Sequence, residues 1–259
     1  MSASELIWPA LFVLLVWWIS TGIILFLDQL PTRTYPVSMA GNTAVGVGAL
    51  MMLALASHHT TETHAYISFT CAILIWGWQE MAFLMGYVTG PSKAPCPLYV
   101  SETKRFRAAT EAVIHHELAL ALTTLVLFAA SWKQPNQVGA WTFFALWVLR
   151  LSAKLNLFLG VRNRYESFLP PHLAYLATFF GKRSINLLFP VVVTAGSVVA
   201  YQLWLAATAS AVPFDRVGLA LVATIVTLGV LEHWLLVMPL PVERLWGWAA
   251  SSDKAAKRV

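Results

Sequence analysis

Charge is the scarcest thing in this sequence. Of 259 residues, 17 are Lys or Arg and 12 are Asp or Glu, 11% in all, where an ordinary soluble domain carries roughly 25%. A globule of this composition has too little polar surface to cover itself in water, which excludes a soluble enzyme and a disordered chain. The net charge of +5 is spread too thinly for a phosphate-reading patch, so nucleic acid is excluded as a partner. Cysteine is nearly absent: Cys71 and Cys96 stand alone, which rules out a disulfide scaffold and a Cys-type zinc module. Repeats and low-complexity segments are missing as well.

What is abundant is apolar residues, 58% of the chain, with a mean hydropathy of +0.67. A helix crossing ~30 Å of hydrocarbon needs about 20 of them. Seven runs qualify, near 7–27, 37–57, 65–88, 111–131, 138–160, 187–210 and 217–238. Residues 1–5 hold no basic side chain, so the first run reads as a span and not as a cleavable signal. The expected fold class is therefore all-α: a polytopic membrane helix bundle forming one domain over 1–240, with a short basic tail at 241–259. The stretch 170–181 is too short to span. Pro170 and Pro171 suit a helix start and Gly181 a stop, and Leu173, Leu176, Phe179 and Phe180 share an apolar face. It is expected to be an interfacial helix, with Lys182 and Arg183 at the headgroups.

Orientation follows from the basic residues. Excluding Arg150 and Lys154 inside span five, only Lys133 and Arg216 fall on one side, while 13 fall on the other. The basic side is expected to be cytoplasmic, so the N-terminus lies outside and the C-terminus inside. Trp8, Trp132 and Trp141 near the outer ends, and Trp246 and Trp248 near the inner end, fit aromatic belts.

Against this background the ionisable residues within spans stand out, because a charge in the bilayer is costly unless paired or hydrated. Span three carries Gln79 and Glu80, and span four Glu111, His115, His116 and Glu117. Span five carries Arg150, Lys154 and Asn156, and span seven Glu232 and His233. At 1.5 Å per residue the charged and imidazole groups of spans three, five and seven and those at 115–117 lie roughly 6–15 Å from the inner ends of their helices. They form one slab in the cytoplasmic half.

Two chemistries suit such a slab. Glu80, Glu111, His115, Glu117, Glu232 and His233 form a carboxylate–imidazole set of the kind that holds an iron pair between facing helices, although no span shows the Glu-x-x-His spacing. Alternatively Gln79, Arg150, Lys154 and Asn156 join the acids in a buried polar network. A proton path through Glu80 and Glu232 is a third reading. His116 and His233 are also candidate axial ligands for the magnesium of a chlorophyll-type pigment. On the opposite side Ser57–His64 holds three imidazoles and a carboxylate, read either as a metal site or as a polar turn capping the next helix.

The stretch 157–190, LFLGVRNRYESFLPPHLAYLATFFGKRSINLLFP, resembles a signature of the photosynthetic complex assembly proteins of the PuhE type. The matching pieces are Leu157–Asn163, Phe168–Pro170, His172–Leu173, Tyr175–Leu176 and Asn186–Pro190. Gln79-Glu80, Glu232-His233-Trp234, Pro239 and Pro241 are similar to that family too. The resemblance implies a multi-pass protein of a photosynthetic inner membrane. It also implies a role in assembling reaction-centre and light-harvesting complexes or in bacteriochlorophyll supply, with complex subunits or pigment precursors as partners beside membrane lipids. It carries over no catalytic residue. Arg162, Asn163, His172, Lys182 and Arg183 are expected to form a cytoplasmic shelf for a partner or an anionic headgroup. The alternative is a metal-dependent, di-iron-like oxidoreductase acting on a hydrophobic pigment, quinone or lipid.

Overall fold

A computed structural model describes residues 4–164 and 166–240, with the side chains of Ser4 and Ser167 excepted. Seven long helices follow one another: α1 (Ser4–Asp28), α2 (Tyr35–Ala56), α3 (Glu62–Leu84), α4 (Glu102–Ala130), α5 (Val138–Leu159), α6 (Leu188–Ala209) and α7 (Pro213–Val237). All seven are long and apolar enough to cross a membrane, and no strand occurs among the described residues. Over the described residues the protein is a seven-helix membrane bundle. The tail at 241–259, with Arg244, Lys254, Lys257, Arg258, Trp246, Trp248 and Pro241, lies outside the described residues. Trp8, Trp132 and Trp141 are exposed at the side opposite the basic loops, as expected of a belt.

Helix ends follow local chemistry. The Thr61 hydroxyl accepts from the His64 amide at 3.3 Å and caps α3. Its oxygen also sits 2.7 Å from the His64 ring, so Ser57–His64 is a capping turn in this structure. Ser101 caps α4, which begins nine residues before the apolar run at 111. The charged first turns of α4 carry Glu102, Lys104, Arg105 and Arg107, so hydropathy alone misplaced that boundary.

Helices α1, α3, α5 and α7 run parallel, entering from the side opposite the basic loops, and pack against one another around the diagonal pair α3–α7. Helix α2 lies on α3, α4 on α5, and α6 on α7. Away from the basic side this quartet is filled by Val13, Phe69, Phe214 and Leu221. A second core between α2, α3, α4 and α5 is built on Leu53, Ile75, Leu120, Leu127 and Phe143.

The segment expected as an interfacial α-helix is a 3-10 helix, Pro171–Phe179, and its apolar face does not meet lipid. With three residues per turn, positions three apart eclipse. Leu173, Leu176 and Phe179 therefore fall in line and are buried against Phe83, Leu84 and Ala112 at the basic ends of α3 and α4. Two glycines make the fit: a Cβ at Gly181 would lie 2.5 Å from the Gly160 nitrogen, and Gly160 has φ +110°. The Gly181 amide donates to the Leu157 carbonyl at 2.9 Å.

Candidate functional site

The solid packing of the parallel quartet ends in its basic half. There α1, α3, α5 and α7 separate around a cavity of about 340 Å³. Trp17 and Ile24 of α1, Trp76 and Glu80 of α3, Arg150 of α5, and Leu228 and Glu232 of α7 line it. Arg164, Phe168, Leu169 and Phe180 contribute from the loop that carries the 3-10 helix. The walls are mostly apolar, with three charged side chains from three different helices facing in from the spans.

The polar layer around this cavity is a chain of contacts. Glu80 is 6% exposed; its Oε2 accepts from Arg150 Nη2 at 3.2 Å, and its Oε1 lies 3.6 Å from His116 Nε2. His116 is fully buried, with its ring tilted on Phe83 at 4.5 Å. Its backbone amide donates to the Thr89 carbonyl at 3.0 Å, so the loop after α3 is pinned to α4 at this point. Phe83 also carries Lys154 Nζ 5.1 Å from its ring centroid. That ammonium donates to Glu117 Oε1 at 2.6 Å, and Trp147 Nε1 donates to Glu117 Oε2 at 3.3 Å. Glu232 closes the layer on the far wall, accepting from Trp17 Nε1 at 2.9 Å.

The six residues expected to share a metal ion are thus divided among separate partners. Among the described residues no three His, Cys, Asp or Glu side chains are grouped to hold an ion. Glu111 pairs with Arg107 at 2.9 Å on the surface of α4, and His115 is exposed beside it. Residues 111 and 115 share a helix face as expected, but that face points away from the other acids. His233 is occupied at both nitrogens: Nδ1 lies 2.7 Å from the Gly229 carbonyl and Nε2 lies 2.7 Å from Ser152 Oγ. Neither His116 nor His233 lines the cavity, so neither presents a ring nitrogen there to a pigment magnesium.

The remaining expected residues hold the frame. Gln79 donates to Thr123 across α3 and α4 at 2.8 Å. Buried Asn156 donates to the Ser152 carbonyl at 2.9 Å and accepts from Asn186 at 3.0 Å. Asn186 also donates to the Gly160 carbonyl at 2.9 Å, and its own oxygen accepts from the Leu188 and Phe189 amides at the start of α6. A helix end leaves these amides without intrahelical partners, so one side chain joins α5 to α6.

Two members of the expected shelf also hold the frame. Asn163 donates to the Leu235 carbonyl at 2.7 Å and the Met238 carbonyl at 2.5 Å, closing the end of α7. His172 is exposed, and its Nε2 lies 2.9 Å from the Leu84 carbonyl, anchoring the 3-10 helix to the end of α3. Arg162, Lys182 and Arg183 are exposed, as expected.

Sequence reasoning missed Trp17, Trp76 and Trp147. In a greasy span a tryptophan reads as lipid-facing, yet an indole N–H away from water needs an acceptor. In Trp17 and Trp147 that acceptor is a carboxylate.

Fold and site together define the class: a polytopic helical membrane protein with an apolar, charge-edged cavity in its basic half. The chain belongs to the family described as Protein of unknown function (DUF3623), whose model matches residues 3–257. It is similar to a protein of Rhodobacter capsulatus named "Uncharacterized 30.4 kDa protein in puhA 5'region". The two are 36% identical over 248 residues, covering 94% of this chain and 90% of that one. No solved structure matches the chain.

Proposed function

We propose that this protein is a non-enzymatic membrane factor of photosynthesis that receives a hydrophobic molecule in its basic-half cavity while reaction-centre or light-harvesting complexes are built. The observation that carries the reading is the cavity: apolar walls and a charged edge suit one chain or ring edge of a pigment precursor. The photosynthetic setting rests on the relative from the puhA region and on the resemblance of 157–190 to assembly proteins of the PuhE type. Its site is the photosynthetic inner membrane, with the basic loops toward the cytoplasm. The exposed Arg162, Lys182 and Arg183 are the part of the shelf left to meet headgroups or a complex subunit.

The reading is tested by deleting the gene in the organism that carries it and measuring the near-infrared absorbance of its membranes. The expected result is less reaction-centre or light-harvesting absorbance per unit of membrane protein. The wild-type gene should restore it, and the Glu80→Ala, Arg150→Ala pair should not. Membranes of the deletion strain with the full complement of both complexes would overturn the proposal.

A further inference from the structure

The charge balance around the cavity bears on which polar head its ligand carries; the inference deepens the reading above and rests on it. Five charged side chains make up the layer, three carboxylates and two cations. The cations are already committed: Arg150 to Glu80 at 3.2 Å, Lys154 to Glu117 at 2.6 Å, and Arg164, which lines the cavity from the loop, to Glu166 at 3.3 Å. Glu232 is the carboxylate left over. One oxygen accepts from the Trp17 indole, a neutral donor, and among the described residues no cation forms an ion pair with it. The side chain is exposed and lines the cavity. An ionised carboxylate facing apolar walls is costly until a donor or a cation meets it.

We propose that Glu232 receives the polar head of the ligand, and that this head is a cation or an N–H or O–H donor on a hydrophobic body. A hydrophobic acid is the wrong partner. It would bring another negative charge beside Glu232, and the two guanidiniums that line the cavity, Arg150 and Arg164, are already held by Glu80 and Glu166.

The test uses the full chain in a nonionic detergent and two probes with the same brominated C12 chain, one ending in an ammonium and the other in a carboxylate. Bromine quenches nearby indoles, and Trp17 and Trp76 line the cavity; a smaller quenched fraction in Trp76→Phe locates the probe there. A bond to a charged group is worth about tenfold or more in affinity, so the ammonium should bind about tenfold tighter than the carboxylate. Glu232→Gln keeps an acceptor for the Trp17 N–H and should bring the two probes to within about threefold. Glu111→Gln, at the surface pair with Arg107, should leave the preference intact. Equal or tighter binding of the carboxylate, a preference that survives Glu232→Gln, or quenching by neither probe would overturn the proposal. Should the preference hold while the deletion strain keeps its complexes, the functional reading falls and the site stands. The opposite pair of results discards the site alone.

Discussion

Replacing Arg150 by methionine keeps an unbranched side chain and removes the guanidinium. The consequence is set by what stays behind. Glu80 is 6% exposed and loses its charge-assisted donor; the next group, His116 Nε2, is 3.6 Å from the other oxygen. Breaking a buried pair by removing one member costs about 3–5 kcal/mol, because the survivor is left as an uncompensated charge. At roughly 2–4 °C per kcal/mol for a chain of this size, Arg150→Met should lower the unfolding midpoint by about 6–20 °C. Glu80→Met should cost less, about 1–3 kcal/mol, since the Arg150 side chain is 39% exposed and its charge can be answered from the cavity. With both replaced, no charge is stranded between α3 and α5. The double variant should then lose less than the sum of the two single losses by about 0.5–3 kcal/mol, the coupling range for groups in direct contact. Thermal unfolding in detergent, followed by tryptophan fluorescence, reads all four proteins. A double variant whose loss equals the sum of the single losses would refute the assignment of this pair as a coupled unit.

Two further predictions address the frame and the discarded ligand set. Gly181→Ala places a Cβ 2.5 Å from the Gly160 nitrogen, so it should broaden or abolish the monodisperse peak in size-exclusion chromatography. Gly48→Ala, where nothing lies within 4 Å, should leave the peak unchanged. His115→Leu and Glu111→Gln alter exposed or half-exposed positions on α4 and should each change stability by no more than about 0.5 kcal/mol. A large loss in either, by the same unfolding assay, would return these residues to a shared site.

The scarcity of charge already determined a good deal. With 11% charged residues the chain has to sit in lipid, and backbone groups in lipid must be satisfied within their own segment, which makes each apolar run a helix. The number of spans and the basic side follow from run length and from where Lys and Arg fall. The presence of a polar layer was equally legible, since Glu80, Glu117, Arg150, Lys154 and Glu232 are too costly to be scattered in a bilayer without partners.

Which partner each of them takes was not legible. Residues 111, 115, 116 and 117 follow one another on α4, and only the rotation of that helix turns His116 into the bundle and leaves His115 exposed. A one-dimensional pattern carries depth along a helix but not its angle about the axis, and an ion set needs both. The 3-10 helix at Pro171–Phe179 was misread for a related reason: the same apolar residues fit a period of 3.6 or of 3.0, and the groove beside Phe83 and Ala112 chose the tighter one. The cavity is the clearest case of something only the tertiary structure decided. It exists because four parallel helices packed solidly at one end stand apart at the other, and no segment of the sequence contains that separation. Length, greasiness and charge assigned this protein to a membrane; the angles between its helices decided what it has room to hold.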